Sequence, residues 1–397
     1  MLAVIVLLPI GRVSELPVVV GGVVAIVLLC ANPRVWLAAP GIQLTAVLFA
    51  CYWIPALVSG FTAVAPGKTW STIAVAWRFL AFAWFASIAL RGDSVWRVFV
   101  TSVGIVLLFW VLDAWVQMAT GFSLGGAEEA ERVSGIFGAD NLKFGPVLAT
   151  LSPFLLLAAR TRFGRIGLGV AFLLLLVPIL LAGSRAAWLS FAVVALVLAW
   201  CETREWPKFL VFATLIAGCA AAVASIAWIG SHRFDSRVDR SLLALEGTFA
   251  GWNDASAGRL SIWHDALAMA RAHPLTGVGV RGFRYAYPAY AAPGDRFVDR
   301  ATGTGAMHAH QIVLEILSET GLVGLAAWIT GAFVAIRAWR RAGAPARSRA
   351  LAPALALVAM CFPINSHLAF YSAWWGLLFW WLLALYCAAL QHDPDRG

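Results

Sequence analysis

The sequence predicts an all-α polytopic membrane protein with one long, partly helical loop. Three observations carry that prediction. Of its 397 residues, 61% are hydrophobic and only 12% charged. Long apolar runs recur from the first residue to about residue 391, and only one connection between them is long. A membrane-crossing helix needs roughly 20 mostly apolar residues, because each residue rises about 1.5 Å across about 30 Å of hydrocarbon. By that measure the chain holds about twelve spans.

The expected spans are residues 1–11, 17–32, 35–59, 72–90, 95–119, 143–159, 164–182, 185–201, 208–230, 310–339, 349–369 and 371–391. The first is short and has neither a basic leading region nor a small-x-small cleavage site, so it reads as a retained helix and not a signal peptide. Arg78 and Asp113 fall inside the fourth and fifth spans, where an unpaired charge is costly, and pairing with each other would relieve both. The eighth span opens at Arg185 after a very tight turn, within "AGSRAAWLS".

The net charge of +9 does not point to nucleic acid. With the N-terminus in the cytoplasm, fourteen Lys and Arg fall in inside segments and only five in the short outside loops, as the positive-inside rule requires. Both termini are then cytoplasmic, and the 231–309 connection between spans nine and ten faces outward from a single membrane domain covering 1–397. All six cysteines lie within or at the ends of spans, so no disulfide framework or cysteine metal site is indicated.

The long loop carries nine arginines, seven acids and four of the seven histidines. Within it, "SAGRLSIWHDALAMARAHPLTGVG" has Ser256 as N-cap, Leu260, Trp263, Leu267 and Ala270 at helical spacing, and Pro274 as a stop. This predicts an amphipathic helix lying on the membrane surface. The adjoining "YAYPAYAAPGDRF" packs three of six tyrosines into six positions, suited either to stacking on sugar rings or to anchoring at the membrane interface.

Chemistry is concentrated on the outer side. A helix N-terminus presents unpaired N–H groups and partial positive charge, so Arg185 there makes a phosphate site, or else snorkels to lipid head groups. Arg259, in the first turn of the surface helix, repeats the combination, and Arg281 and Arg284 can extend a basic cluster. The tenth span opens with "GAMHAHQIVLEILSETGLVG". On a continuous helix His310 and Gly321 share a face with Leu314, Leu317 and Gly324, while Gln311, Glu315 and Glu319 form a second stripe. Spacing alone does not choose between His308 and His310, and either can be a cap without chemistry. There is no convincing metal cluster, no nucleotide-type glycine loop and no Gly-x-Ser-x-Gly elbow. The acids of "GAEEAER" read as a solvated loop.

Four stretches together resemble the bacterial O-antigen ligases. His310, Gln311, nine residues, Gly321, two residues and Gly324 match the pattern His-[Asn/Ser/Gln]-x9-Gly-x-x-[Gly/Thr/Tyr], and Arg185 to Leu189 matches Arg-x3-Leu. "GRLSIWHDALAMARAHPLTGVG" is similar to the loop of the wider superfamily of ligases, O-antigen polymerases and protein O-oligosaccharyltransferases. "RVSGIFGADNLKFGP", beginning at Arg132, resembles its shorter outer loop.

The resemblance implies a GT-C-like, inverting, metal-independent glycosyltransferase with no cofactor, acting at the periplasmic face of the bacterial inner membrane. Its donor would be O-antigen polysaccharide on undecaprenyl pyrophosphate, and its acceptor a sugar hydroxyl of lipid A core. It favours His310 over His308 as the base, and Arg185 and Arg259 as pyrophosphate ligands. Arg281, Arg284, Arg132 and Gln311 have secondary roles. A polymerase of the same superfamily, or a lipid-linked glycan transporter, are the alternative readings.

Overall fold

The computed structural model describes residues 1–127, 132–138, 141–230, 239, 243–365 and 369–391. It is almost wholly helical. In chain order the helices are α1 (Leu2–Val6), α2 (Glu15–Ala31), α3 (Pro33–Leu37), α4 (Pro40–Gly60), α5 (Pro66–Val75), α6 (Trp77–Ala89) and α7 (Asp93–Thr120). They continue with α8 (Phe144–Leu181), α9 (Arg185–Thr203), α10 (Trp206–Gly230), α11 (Phe249–Ala255), α12 (Arg259–Ala272), α13 (Phe283–Ala286), α14 (Ile312–Arg341), α15 (Ala344–Cys361) and α16 (Ala373–Leu390). One two-residue hairpin pairs Phe122–Ser123 with Gly126–Ala127. Among the described residues nine stretches are long and apolar enough to cross a membrane, so the chain is a multi-pass membrane protein.

α16 forms the centre of the bundle, with Trp380, Trp381 and Leu382 fully buried and contacts to α4, α6 and α15. Aromatic rings knit these helices together: Trp380 meets Phe49 and Tyr52 edge-on and stacks on Phe79.

Residues 1–11 do not form a span. α1 has only five residues, Pro9 and Gly11 interrupt the chain just beyond it, and eleven residues would rise only about 16 Å. Val4, Ile5 and Leu8 are instead tucked into the bundle, fully buried.

The two spans expected over 143–182 are the arms of one helical hairpin. Gly164 at φ 66°, ψ −154° turns the chain sharply, and a Cβ on Gly145 would sit 2.8 Å from Ala182. The beginning and end of α8 therefore lie side by side. α15 crosses the bundle from Arg349, which pairs with Asp93 at the far end, to Asn365, which bonds Ser190 of α9 at 3.4 Å. The expected span of 349–369 thus ends early as a helix, at Cys361, and its residues 366–368 lie outside the described residues.

Arg78 and Asp113 do not pair. Arg78 faces Glu15 at 3.7 Å and lies over the Phe79 ring, while Asp113 accepts the Leu124 N–H at 2.9 Å. Each finds a local partner, Arg78 at the junction of α5 and α6 and Asp113 near the loop end of α7, while Arg78 Nε and Asp113 Oδ2 make no hydrogen bond among the described residues. Glu128, Glu129 and Glu131 of the acidic loop, and 231–238 and 240–242 at the start of the long loop, lie outside the described residues.

Candidate functional site

The long loop folds on a small core of its own, built from Ile262, Ala266, Met269, Val278, Phe283 and Tyr287. Its principal helix runs as expected, over Arg259–Ala272, but begins at Gly258 and not Ser256. Ser256 closes the preceding α11, and Ala257 and Gly258, at φ 60° and 83°, turn directly from one helix into the next. The buried face is Ile262, Asp265, Ala266 and Met269. The anticipated stripe of Leu260, Trp263, Leu267 and Ala270 is left lateral, with Leu267 exposed. Tyr287 is no interfacial anchor: it is fully buried, its hydroxyl bonded to Asp295 at 3.1 Å, while Tyr285 remains exposed.

Arg185 and Arg259 are brought together. Each is the first residue of its helix, with Ser184 capping α9 through its hydroxyl and Asn253 Oδ1 accepting the Ser261 N–H at the start of α12. Arg185 donates to the Ala255 carbonyl, which seats the α11–α12 corner over the N-terminus of α9. Arg259 is half-buried; desolvation first and the charge of Arg185 second pull its pKa down to about 10. Among the described residues no acidic side chain offsets these effects at Arg259. Two crowded cations at two helix N-termini create a strong preference for an anion.

Arg132 precedes Val133, whose N–H bonds the Leu181 carbonyl at 3.3 Å, so its backbone runs beside the turn leading to Arg185. Lys143, which had no evident role in the sequence, joins the same neighbourhood. It lies over the Trp374 ring at 4.3 Å, and burial lowers its pKa. Two residues on, a Cβ on Gly145 would lie 3.9 Å from that of Ser184. Its signal in the sequence was only a lysine just before an apolar run.

His310 stands outside the helix it was expected to begin. α14 starts at Ile312, and Gln311 is its N-cap, accepting the Leu314 N–H at 2.6 Å. His310 takes φ 53°, an uncommon conformation for a residue with a side chain, and its ring packs on that of His308 at 3.9 Å between centroids. Gln311 also donates to the Pro363 carbonyl at 2.9 Å, two residues from the Asn365 that bonds Ser190. A short turn thus ties the histidine segment to the helix headed by Arg185.

His310 and Gly321 do not share a face of one continuous helix. Gly321 breaks α14 at φ 64°, ψ −161°, and a Cβ on Gly324 would lie 3.3 Å from the Ile316 side chain. Eight residues along a straight helix would separate these by about 12 Å. The physical reason is the loop: Gly321 packs against the backbone of Leu275 and Thr276, where any Cβ would collide. Glu315 and Glu319 do share a face, and both are fully buried.

Arg281 is held through its backbone and Arg284 through its side chain. The Arg281 N–H bonds Glu319 at 2.8 Å, and the Arg284 guanidinium bonds Thr304 at 3.0 Å and lies by the Tyr285 ring. Among the described residues no three His, Cys, Asp or Glu side chains gather as a metal ion would require.

These features define a polytopic helical membrane protein whose loop sets a second arginine beside Arg185 at one end of the bundle. Residues 170–329 match the family model described as O-antigen ligase. The matched stretch holds Arg185, Arg259 and His310 and leaves α1 to α7 outside. None of the curated proteins compared with the chain matches it.

Proposed function

We propose that the protein is an O-antigen ligase, transferring polysaccharide from undecaprenyl pyrophosphate to a sugar hydroxyl of lipid A core at the periplasmic face of the inner membrane. The observation that carries this reading is the juxtaposition of Arg185 and Arg259, two guanidiniums at helix N-termini with no acid among the described residues countering Arg259. A pyrophosphate, whose negative charge grows as the anomeric bond breaks, is suited to such a site. The orientation is supported by the far end of the bundle, where Arg160 and Arg165 face Glu202 and Arg349 pairs with Asp93, the basic side expected to face the cytoplasm.

In this reaction the acceptor hydroxyl oxygen attacks the anomeric carbon from the face opposite the pyrophosphate. The carbon–oxygen bond to pyrophosphate breaks with its electron pair leaving on the lipid pyrophosphate, and the hydroxyl proton passes to His310. Neutral imidazole suits that role near neutral pH. The positive φ of His310 fits a residue whose position is set by function.

The deciding experiment mixes detergent-solubilised protein with undecaprenyl-pyrophosphate glycan and lipid A core, with chelator and without ATP. Glycan on lipid A core, reduced about 10²- to 10⁴-fold in His310→Ala, supports the ligase and its base. Longer lipid-linked glycan would mean a polymerase, and folded protein with no covalent product would sink the transferase reading in favour of transport. Full transfer by His310→Ala would remove the base assignment.

A further inference from the structure

The break in α14 is filled by the loop. A corner at Gly321 deprives a helix of its bonds from 322 to 318 and from 323 to 319, freeing two N–H groups and two carbonyls. All four are taken by residues 274–279. Leu322 donates to the Pro274 carbonyl at 2.8 Å and Val323 to Leu275 at 3.2 Å, while Val278 donates to Ser318 at 2.8 Å and Gly279 to Glu319 at 3.0 Å. The loop is spliced into the helix as a missing turn.

The Glu319 side chain extends the splice. Its Oε2 accepts the Arg281 N–H at 2.8 Å and its Oε1 the Phe283 N–H at 3.4 Å, and the residue is 1% exposed. A carboxylate is buried so completely only where hydrogen bonds replace its water. Arg281 holds φ 63°, a conformation residues with side chains keep only when the surroundings impose it. The carboxylate bonds on both sides of that residue supply the imposition.

The splice also joins the two halves of the candidate site. α12, headed by Arg259, ends at Ala272, just before Pro274 enters the break. His310 stands just ahead of the short arm of α14 that ends at the break. We propose that Glu319 is a positioning residue: its carboxylate pins the 278–283 turn to α14 and thereby fixes the Arg259 helix relative to His310. Its consequence for catalysis rests on the transferase reading above.

Two measurements test it on the full-length protein. In Glu319→Gln one acceptor oxygen remains for two N–H groups, so amide exchange at Arg281 and Phe283 should rise about tenfold or more. Transfer should fall about 10²-fold, the scale of a displacement of about 1 Å. A cross-link then separates positioning from general damage. The Thr62 and Thr276 hydroxyls lie 2.8 Å apart, so a Thr62→Cys, Thr276→Cys disulfide in the Glu319→Gln background should restore transfer when oxidised and lose it when reduced. Unchanged exchange at the two amides, or lost transfer that the cross-link does not relieve, overturns the proposal. If the unsubstituted protein makes no product the transferase reading fails, and amide exchange alone still decides whether Glu319 pins the turn.

Discussion

Arg185 lies close enough to Arg259 to lower its pKa, adding to the larger effect of burial. Arg185 also holds the α11–α12 corner through the Ala255 carbonyl, but its charge makes Arg259 harder to keep charged. Removing one should therefore relieve the empty protein while harming the anion site. Arg259→Gln is expected to raise thermal stability slightly and to weaken binding of inorganic pyrophosphate by about tenfold or more, the range of a lost charge-assisted contact. Calorimetric titration and a melting curve read both. Arg185→Lys should not preserve full affinity, because an ammonium lacks the planar fork of guanidinium. Unaltered pyrophosphate binding in both variants would remove the pair from the site.

The same pair sets a pH response. The folded pKa of Arg259, about 10, lies below the usual arginine range of about 12.5 or more. The unfolded chain therefore binds the proton more tightly, and the cost of burying the charge is relieved as pH rises through the folded pKa. Anion binding runs the opposite way, since it needs the charged form. Pyrophosphate affinity should decline above about pH 10 in the unsubstituted protein, with a smaller decline in Arg259→Gln.

Asp265 gives a second titration within the loop. It is 4% exposed, and burial, opposed by bonds from His264 and Tyr287, raises its carboxyl pKa. A raised folded pKa means the folded form takes up the proton first, so stability is gained as pH falls toward that pKa and lost as pH rises through it. Asp265→Asn imitates the protonated form. Its melting temperature relative to the unsubstituted protein should be highest near neutrality and fall as pH is lowered toward the raised pKa of Asp265. A difference independent of pH would contradict this account.

Gly321 and Gly164 offer a matched comparison of corners. Both hold positive φ, at 64° and 66°. A Cβ at Gly164 meets nothing within 4 Å, whereas one at Gly321 runs into the Leu275 backbone. Gly164→Ala should cost about 1–3 kcal/mol, the backbone penalty alone for a conformation at positive φ and extended ψ. Gly321→Ala should cost distinctly more, because it also forces the loop out of the helix break. Yield of folded protein in detergent, followed by thermal unfolding, ranks the two, and equal losses would refute the splice geometry.

Much of the architecture was legible because membrane helices announce themselves by length and apolarity. Arg185 at the start of α9 and Arg259 at the start of α12 were also visible, since a helix N-terminus can be read locally. The misplaced features depend on contacts distant in the chain. The apolar face chosen for α12 was wrong because its partners, Phe283 and Tyr287, lie on a later segment of the loop. The corner at Gly321 gives no local signal because its four stray backbone groups are satisfied 40 to 48 residues away. Lys143 gives no local signal because its neighbour Trp374 lies at the other end of the sequence.

The helical gap filled by residues 274–279 also bears on biosynthesis. A ribosome makes the 274–279 stretch before it makes 318–323, so the newly made loop waits with two N–H groups and two carbonyls unmatched until α14 arrives. In water such groups are solvated, but buried and unmatched each would cost about 1–3 kcal/mol. The loop therefore cannot reach its final form until residues 318–323 have emerged, so an earlier segment is completed by a later one. A nascent chain arrested before Leu322 should expose the 274–283 turn to protease, and extension past Arg341 should protect it.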